Sequence, residues 1–285
     1  MSGLLSGLSS LGLEDLENAS IFEDPKAKMA KEEEKAETAV VQEKELVYDR
    51  NYDCPVCDEK ITSKVMKTGK AKLLHTDLDL RAVYEGIDIQ KYDAITCPRC
   101  GFSALSRYFK PMTTVQVKLI REKFCSKVHL PKHNEDSEVY TYEEAMERYK
   151  LSLACAVIKQ GKASEKAYIC LKSAWLLRGW QEELSKDPAN QAKVEEFKKE
   201  EEEYLKNALD GFLAAQSSEG YPMCGMDEST MSYLLAVLAM QMKRYEVSSK
   251  MIASILTSPS ANARMKDKAR DLKDMVLAEI KKSKG

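Results

Sequence analysis

The sequence predicts a mainly α-helical protein that carries one small β-containing module. Three observations lead to this fold class. Charged residues make up 32% of the 285 residues and aromatic residues only 7%, which is typical of surface-rich helices rather than of a large sheet core. From Tyr140 onward, good helix formers dominate and proline is rare. Two Cys-Pro-x-Cys motifs lie in a short stretch with β-prone pieces and turns.

Residues 1–46 are predicted to be a disordered tail followed by a charged linker. Leu4, Leu8 and Leu11 would form one helical stripe, but the interspersed glycines make an isolated helix marginal. The alternative is a short docking motif that folds on a partner. Residues 26–46 are densely charged and lack apolar periodicity, as expected of a spacer. The N-terminus has no positive start and the chain no long apolar run, so we expect a cytoplasmic protein without membrane insertion.

Residues 47–111 are predicted to form a small module that depends on a metal ion. A module of this size buries too little apolar surface to form a stable core without a bound metal ion or another cross-link. The short β-prone runs favour strands rather than helices. The expected elements are strands at Ile61–Met66, at Ala94–Thr96 and around Ile87 and Ile89, and a turn at Thr68-Gly69.

The two Cys-Pro-x-Cys motifs predict a structural zinc site. Two residues between paired cysteines allow a tight knuckle that aims both sulfurs at one ion, and two knuckles supply a tetrahedron of thiolates. Gly101 follows the second knuckle, where a positive φ is often needed. Reduced cytosolic thiols favour metal binding over disulfides. We therefore expect one Zn²⁺ per chain, and the predicted ligands are Cys54, Cys57, Cys97 and Cys100.

Iron is the alternative metal, because four thiolates also hold the single iron of rubredoxins. Rubredoxins are compact and aromatic around the iron, with shorter segments between their knuckles, so zinc is preferred. A thioredoxin-like role is disfavoured because neither motif lies in a βαβ pattern. A site closed by four protein ligands lacks the open position of a hydrolytic metal, so we expect no enzyme activity and no catalytic residue.

Residues 112–285 are predicted to form an α-helical domain. Thr141 and Glu144 have the spacing of a capping box, and Lys186-Asp187-Pro188 separates two helices. The expected helices cover residues 112–128, 141–160, 163–185, 190–216, 228–243, 245–257 and 261–282.

Two pairs of these helices have a spacing like that of tetratricopeptide repeats. Around Leu153-Ala154 and Leu235-Ala236, small residues lie where paired helices would cross closely. The match is degenerate, since Ser248 stands at a usual alanine position and the two copies are not one period apart. We therefore expect a tetratricopeptide-like array of α-hairpins rather than a regular solenoid.

A distinctive series of residues accompanies the two cysteine motifs. Its members are Thr76-Asp77-Leu78-Asp79-Leu80, Tyr84, Ile87-Asp88, Tyr92-Asp93, Phe102 and Arg107-Tyr108-Phe109. With the cysteines, this series resembles the bacterial family known as domain of unknown function 2225 (DUF2225), over residues 47–270. The resemblance implies a metal-binding cysteine module followed by tetratricopeptide-like helices, and it implies no activity.

Asp77 and Asp79 are weaker candidates for a functional role. An Asp-x-Asp pair suggests divalent-cation or sugar-nucleotide chemistry, but local capping or a salt bridge to Arg81 is the preferred interpretation. Because these residues and Tyr84 belong to the family pattern, they are the best candidates for a ligand-contacting loop. We do not expect them to be catalytic.

The histidines are not expected to bind a metal. With four cysteines available, His75 is interpreted as a surface or packed residue. Cys125, His129 and His133 have helical ligand spacing, but Pro131 lies between the histidines and disfavours one continuous helix. A second metal site is therefore not the preferred interpretation.

The other cysteines have no predicted catalytic role. Cys155 and Cys170 fall on apolar helix faces and are expected in the core. Cys224 lies in a loop and is expected to be exposed and reactive, but no histidine near it in the sequence would make it a nucleophile.

The sequence gives little reason to expect nucleic-acid binding. Residues 46–112 hold eleven basic and nine acidic residues, and four thiolates around Zn²⁺ offset that small excess. The whole chain has a net charge of −2 and a pI near 6.1. One basic cluster is present, and its members are Lys60, Lys64, Lys67, Lys70 and Lys72.

The preferred function is therefore a non-enzymatic adaptor. We expect its zinc module to be structural and its helical repeat domain to bind a protein or peptide partner. The alternatives are a nucleic-acid-binding zinc ribbon protein and a rubredoxin-like iron electron carrier.

Overall fold

The computed structural model describes residues 42–130 and 137–284. These residues form three β-hairpins followed by seven α-helices. The predicted mainly helical fold with a small β module is confirmed. The described residues from 43 onward form one compact unit, and separate folding of the parts divided at residue 111 stays a prediction. The predicted tail and most of the predicted linker lie outside the described residues.

Each hairpin is an antiparallel pair of strands that are neighbours in the sequence. The predicted strands at residues 61–66 and 94–96 are confirmed, and Gly69 has a φ of 77° in the predicted turn. Isolated two-stranded sheets are marginal in water, so these hairpins depend on what they pack against. The pairs are β1 (Val47–Asp53) with β2 (Lys60–Met66), β3 (Leu73–Thr76) with β4 (Ala82–Tyr84), and β5 (Ala94–Thr96) with β6 (Ser103–Leu105).

The strand predicted around Ile87 and Ile89 is wrong. Residues Ile89–Tyr92 form a short 3₁₀ helix instead. Asp88 caps this helix, because its side chain accepts a hydrogen bond from the backbone N of Gln90 at 2.9 Å. Such local capping offers the backbone an alternative to a strand, and here it outweighs the alternation of apolar and polar residues.

Six of the seven α-helices lie within a few residues of their predicted bounds, and the first is the exception. Thr141 and Glu144 form the predicted capping box, and Thr113 and Gln116 form a second one. The helices are α1 (Thr114–Ile120), α2 (Tyr142–Ile158), α3 (Ala163–Leu184), α4 (Gln191–Gln216), α5 (Glu228–Gln241), α6 (Tyr245–Thr257) and α7 (Ala263–Lys284).

The helix predicted for residues 112–128 is not a regular α-helix throughout. After α1, residues Arg121–Cys125 form one turn of π-helix. A π turn rotates the side chains that follow it relative to a continuous α-helix, and such turns are frequent at functional sites. This turn buries Phe124 and ends at Cys125.

Helices α3 to α7 share one apolar core. Small residues lie where α3 and α4 cross, since a Cβ on Gly211 would lie 2.8 Å from the Cβ of Ala167. Ser248 is fully buried, and its hydroxyl donates to the carbonyl O of Ala236 at 2.7 Å, which accounts for a polar residue at this position. A tetratricopeptide-like repeat stays a prediction. No helix in the described ranges has the length and apolar character that crossing a membrane requires.

One polar stripe of α3 faces the β module. Its members recur every three or four residues, so they lie on one face of the helix. Lys172 Nζ lies 3.1 Å from a carboxylate oxygen of Asp93, so the stripe contacts the segment between the two knuckles. We call this stripe the α3 seam, and its members are Lys172, Trp175, Arg178 and Glu182.

Candidate metal centre

Both Cys-Pro-x-Cys motifs form the turns of β-hairpins. The first knuckle, residues 54–59, joins β1 to β2, and the second, residues 97–102, joins β5 to β6. In each case the flanking strand residues are paired, Asp53 with Lys60 and Thr96 with Ser103. The two hairpins therefore present their cysteines at the same positions of a six-residue loop.

The two knuckles also share their backbone hydrogen bonds. The N of Asp58 donates to the carbonyl O of Cys54, and the N of Gly101 donates to the carbonyl O of Cys97, both at 2.9 Å. Asp58 and Gly101 have φ angles of 60° and 77°. The positive φ predicted for Gly101 is confirmed, and the first knuckle achieves the same turn with an aspartate, which tolerates this conformation better than most residues.

Four sulfur atoms converge between the knuckles. The Sγ atoms of Cys54 and Cys100 are 3.6 Å apart, as are those of Cys57 and Cys97. All four lie within 4.8 Å of one another, and all four cysteines are free. A tetrahedron of thiolates about 2.3 Å from one Zn²⁺ has edges of about 3.8 Å, whereas a disulfide needs about 2.05 Å. The cluster therefore has the dimensions of a metal site.

The electrostatics of the thiols also suit a cation. The neighbouring thiols of Cys100 and Cys54 lower the pKa of the Cys97 thiol well below its usual value of 9.0. Hydrogen bonds with Cys54 and Cys97 raise the pKa of Cys100. One thiolate is thus stabilised by the protons of its neighbours, and a divalent ion that replaces those protons would stabilise all four thiolates.

An apolar shell surrounds the four cysteines. Cys54 and Cys97 are 1% and 0% exposed, whereas Cys57 and Cys100 are half-buried. Burial in apolar surroundings lowers the local dielectric and strengthens the attraction between a metal ion and thiolates. The shell comes from both hairpins, from α1 and its π turn and from α2, and it includes Val56, Ile95, Phe102, Phe109, Ile120, Phe124 and Cys155.

Asp77 and Asp79 contact the α3 seam. Asp79 is completely buried and accepts hydrogen bonds from Trp175 Nε1 at 3.1 Å and from Arg178 Nη2 at 2.8 Å. Asp77 lies 3.0 Å from Arg178 Nη1 and 3.5 Å from Arg81 Nη1. The preferred salt bridge to Arg81 is confirmed for Asp77. The sequence did not indicate Arg178, because the two partners are about a hundred residues apart in the chain.

Tyr84, the third residue of the expected ligand loop, lines a polar cavity of about 650 Å³ between β4 and helices α2 and α3. Arg81 borders the same cavity and pairs with both carboxylate oxygens of Glu182, at 2.7 and 2.8 Å. Asp88 packs so closely on α3 that a Cβ on Gly179 would lie 2.0 Å from its Oδ2. Burial raises the pKa of this aspartate.

In the described residues, the four-sulfur cluster is the one group of three or more metal-ligating side chains, and it does not include His75, Cys125 or His129. The side chain of His75 is 60% exposed and lies 3.2 Å from Asp77, as expected of a surface histidine. His133 lies outside the described residues. Cys125, however, packs against the apolar cluster that surrounds the four cysteines, a position that the sequence did not indicate.

The remaining cysteines belong to the interior. Cys155 and Cys170 are 1% and 6% exposed, which confirms their predicted place in the core. The exposure predicted for Cys224 is wrong. Its thiol is half-buried and lies 3.2 Å from the hydroxyl of Tyr108. It donates to the carbonyl O of Ser164 at 3.4 Å. Burial raises the pKa of this thiol. Loop position alone did not reveal these contacts.

Comparison with known families gives one match. A family model described as "Uncharacterized protein conserved in bacteria (DUF2225)" matches residues 47–276. The match covers both knuckles, the segment between them and nearly all the helices. Neither the comparison with curated proteins nor that with solved structures gives a match.

Proposed function

The chain belongs to the bacterial DUF2225 family, and we propose that it is a cytoplasmic, non-enzymatic adaptor that binds one structural Zn²⁺ and a protein or peptide partner. The description of the family assigns no activity, so the proposal depends on the residues of this chain. The four-sulfur cluster carries it. A groove in the helical domain supports the adaptor role.

The ligand set supports zinc as the metal. Four thiolates in a tetrahedron are the usual ligands of a closed structural zinc site, and the paired knuckles are typical of zinc ribbons. A structural zinc contributes on the order of 10 kcal/mol to the folding of a small module. Such a contribution would stabilise two hairpins that are marginal by themselves. Iron remains the alternative that the same ligands would accept.

The chemistry of the site supports a structural role. A metal ion with four protein thiolates has no open position for water or substrate. The buried carboxylate of Asp79 is engaged by Trp175 and Arg178, so it is not free to act as an acid or a base. We therefore assign no catalytic residue.

A groove of about 630 Å³ between α2, α3 and α4 supports partner binding. Leu153 and Val157 contribute apolar surface from α2, and Tyr204 contributes it from α4. Val157 is 57% exposed, and an exposed apolar residue in a concave surface is typical of an interaction site. The charged residues of the lining are Lys166, Glu200 and Glu203, an acidic excess of one, so the groove suits an apolar peptide segment with a basic residue beside it.

The basic cluster does not favour nucleic acid as the partner. Lys64 pairs with Asp49 at 3.2 Å, and Lys67 donates to the backbone carbonyl O of Glu45 at 2.8 Å. Lysines held in this way are less available to phosphates. The described cysteines are all free, which supports placement in a reducing compartment such as the cytoplasm.

Elemental analysis of the natively purified protein, with an absorbance spectrum, tests the metal. About one zinc per chain without visible colour supports the proposal. Iron with visible charge-transfer bands would favour the electron carrier. Absence of any metal after purification under reducing, chelator-free conditions would refute the proposed metal site.

Capture of partners with matched variants tests the groove. We expect Val157→Asp to abolish a specific protein interaction by placing a charge on the apolar surface. Leu277→Asp is the control, since Leu277 is an apolar residue of α7 with similar exposure, 46%, and does not line the groove. Equal binding by wild type and Val157→Asp would exclude the groove as the partner site.

A further inference from the structure

The polar cavity of about 650 Å³ between β4 and helices α2 and α3 has the size of a small-molecule site. Among the described residues, its lining shares none with the four-sulfur cluster or with the groove between α2, α3 and α4. Cationic side chains line the cavity at Arg81, Lys91 and Lys186, beside five carboxylates. A lining that carries both signs of charge is complementary to a ligand that also carries both.

Arg81 has hydrogen-bond donors that the protein does not use. Its side chain is 4% exposed, and its Nη1 and Nη2 donate to the carboxylate of Glu182 at 2.7 and 2.8 Å. Its Nε is buried and has no hydrogen-bond partner in the part of the chain that the structure describes. A guanidinium has five N–H donors, and a buried donor without an acceptor is unfavourable. The guanidinium can therefore bind an anionic group in addition to Glu182.

Asp88 supplies the complementary charge in the same cavity. Its carboxylate accepts hydrogen bonds from two neutral donors, the backbone N of Gln90 at 2.9 Å and the hydroxyl of Tyr142 at 3.2 Å. The neighbouring cation Lys91 pairs with Glu43 instead, at 2.6 Å. Burial raises the pKa of Asp88, because the desolvated negative charge is incompletely compensated. A cationic group of a ligand would compensate it.

The two groups meet at Gly179 in the interior of α3. A Cβ at this position would lie 2.0 Å from Asp88 Oδ2 and 3.2 Å from Arg81 Nη2, so both charged atoms lie close to one point. Glycine destabilises a helix interior relative to alanine, and here it allows the two groups to approach each other. An α-amino acid carries its ammonium and its carboxylate on one carbon atom, and this arrangement matches the neighbouring carboxylate and guanidinium of the cavity.

We propose that this cavity binds a free α-amino acid with a basic side chain, whose α-ammonium pairs with Asp88 and whose α-carboxylate pairs with Arg81. Tyr84, which lines the cavity, then belongs to a ligand site. The proposal depends neither on the metal nor on the partner groove.

The remaining charges of the lining favour a basic side chain on the ligand. Five acidic and three basic residues line the cavity, an acidic excess of two. Lys186 is engaged by Glu183 at 2.6 Å. The side chain of Glu143 is 64% exposed and lies 3.9 Å from Lys193, which is too far for a hydrogen bond. Glu143 can therefore pair with a cation at the far end of the ligand, while Trp180 offers apolar surface to its methylene groups.

Isothermal titration calorimetry of the full-length protein with L-arginine tests the site. Two analogues separate the two α-groups, since agmatine lacks the carboxylate and N-α-acetyl-L-arginine lacks the ammonium. We expect each analogue to bind at least about tenfold more weakly than L-arginine, because each leaves one buried charge of the cavity without its partner. L-Glutamate should bind more weakly than L-arginine, because its side chain would meet the acidic excess.

Three variants test the assigned residues, and circular dichroism verifies that each is folded. Asp88→Asn keeps the shape of the side chain and should weaken the binding of L-arginine at least about tenfold. Glu143→Gln should weaken the binding of L-arginine but not that of L-glutamine. Asp267→Asn, which changes an exposed ion pair on α7, is the control and should bind L-arginine like wild type.

Three results would overturn the proposal. They are a lack of L-arginine binding at millimolar concentration, equal affinity of wild type for agmatine and L-arginine, and an unchanged affinity in Asp88→Asn. Equal affinity for agmatine would show that the cavity recognises an organic cation without reading the α-carboxylate. If Asp88→Asn does not fold, the comparison of L-arginine with its two analogues on wild type still decides the outcome.

Discussion

Replacement of Asp79 by alanine should destabilise the protein strongly, although this residue belongs to neither knuckle. Asp79 is completely buried. Its carboxylate accepts hydrogen bonds from Trp175 Nε1 at 3.1 Å and from Arg178 Nη1 and Nη2 at 3.1 and 2.8 Å. These contacts join the segment between the knuckles to α3.

The expected size follows from the partners that remain. Asp79→Ala leaves the indole N–H of Trp175 unsatisfied, which costs about 1–3 kcal/mol. Breaking a buried ion pair costs about 3–5 kcal/mol in all, but Arg178 keeps Glu201 at 2.8 Å and Asp77 at 3.0 Å. We therefore expect a loss of about 3 kcal/mol in the free energy of unfolding. Arg178→Ala should cost more, about 5 kcal/mol, because it leaves the carboxylate of Asp79 buried without a cation.

Urea denaturation followed by far-ultraviolet circular dichroism measures these free energies. Asp267→Ala is the control, because Asp267 pairs with Arg270 on the exposed surface of α7 and such pairs contribute about 0–1 kcal/mol. The double variant of Asp79 and Arg178 should lose less than the sum of the two single variants, since both remove the same interaction. A cost for Asp79→Ala no greater than that of the control would refute the reasoning.

Three further predictions concern the metal, the approach of Asp88 to α3 and one helix cap. Removal of the metal by a chelator should lower the Tm at which the helices unfold, because the α3 seam joins the helices to the module. An unchanged Tm in differential scanning calorimetry would contradict this. Gly179→Ala should lower the Tm, because the added Cβ would lie 2.0 Å from Asp88 Oδ2. This clash should outweigh the preference of helices for alanine over glycine, about 1 kcal/mol. Gly220→Ala is the control and should not lower the Tm, because a Cβ there meets nothing within 4 Å. Asp227→Ala should cost about 1 kcal/mol at neutral pH. Hydrogen bonds from Thr230 hold the pKa of Asp227 below its usual 3.8, so its contribution is present above that value and is lost as pH falls through the folded-state pKa. Urea titrations at neutral and acidic pH should show the difference shrink, and a constant difference would argue against the cap.

The metal ligands could be predicted because their arrangement is local. In each knuckle, two residues separate the cysteines, and a hydrogen bond from Asp58 or Gly101 closes the turn within the same six residues. The helix start at Thr141 could be predicted for the same reason, since a capping box involves residues three apart. Spacing in the sequence determines such contacts directly.

Tertiary contacts could not be predicted in this way. The partners of Asp79 lie on α3, about a hundred residues away. Cys125, which packs on the apolar shell of the cysteines, ends a π turn that α-helical periodicity does not indicate. The seam itself has a sequence pattern, because Lys172 and Arg178 interrupt the largely apolar stretch 167–180 and Glu182 follows at helical spacing. That pattern indicates a polar interface on α3 but does not identify what it faces.

The segment between the knuckles explains why a structural metal matters to the helices. Both of its ends are fixed at the four-sulfur cluster, and between them Asp79 and Asp93 contact Arg178 and Lys172 on α3. Loss of the metal would release both ends of the segment while the buried charges of the seam still require partners. The same helix also lines the proposed partner groove, through Ala167 and residues beside it. Metal content and partner binding should therefore be measured on the same preparations, because α3 physically connects the two sites.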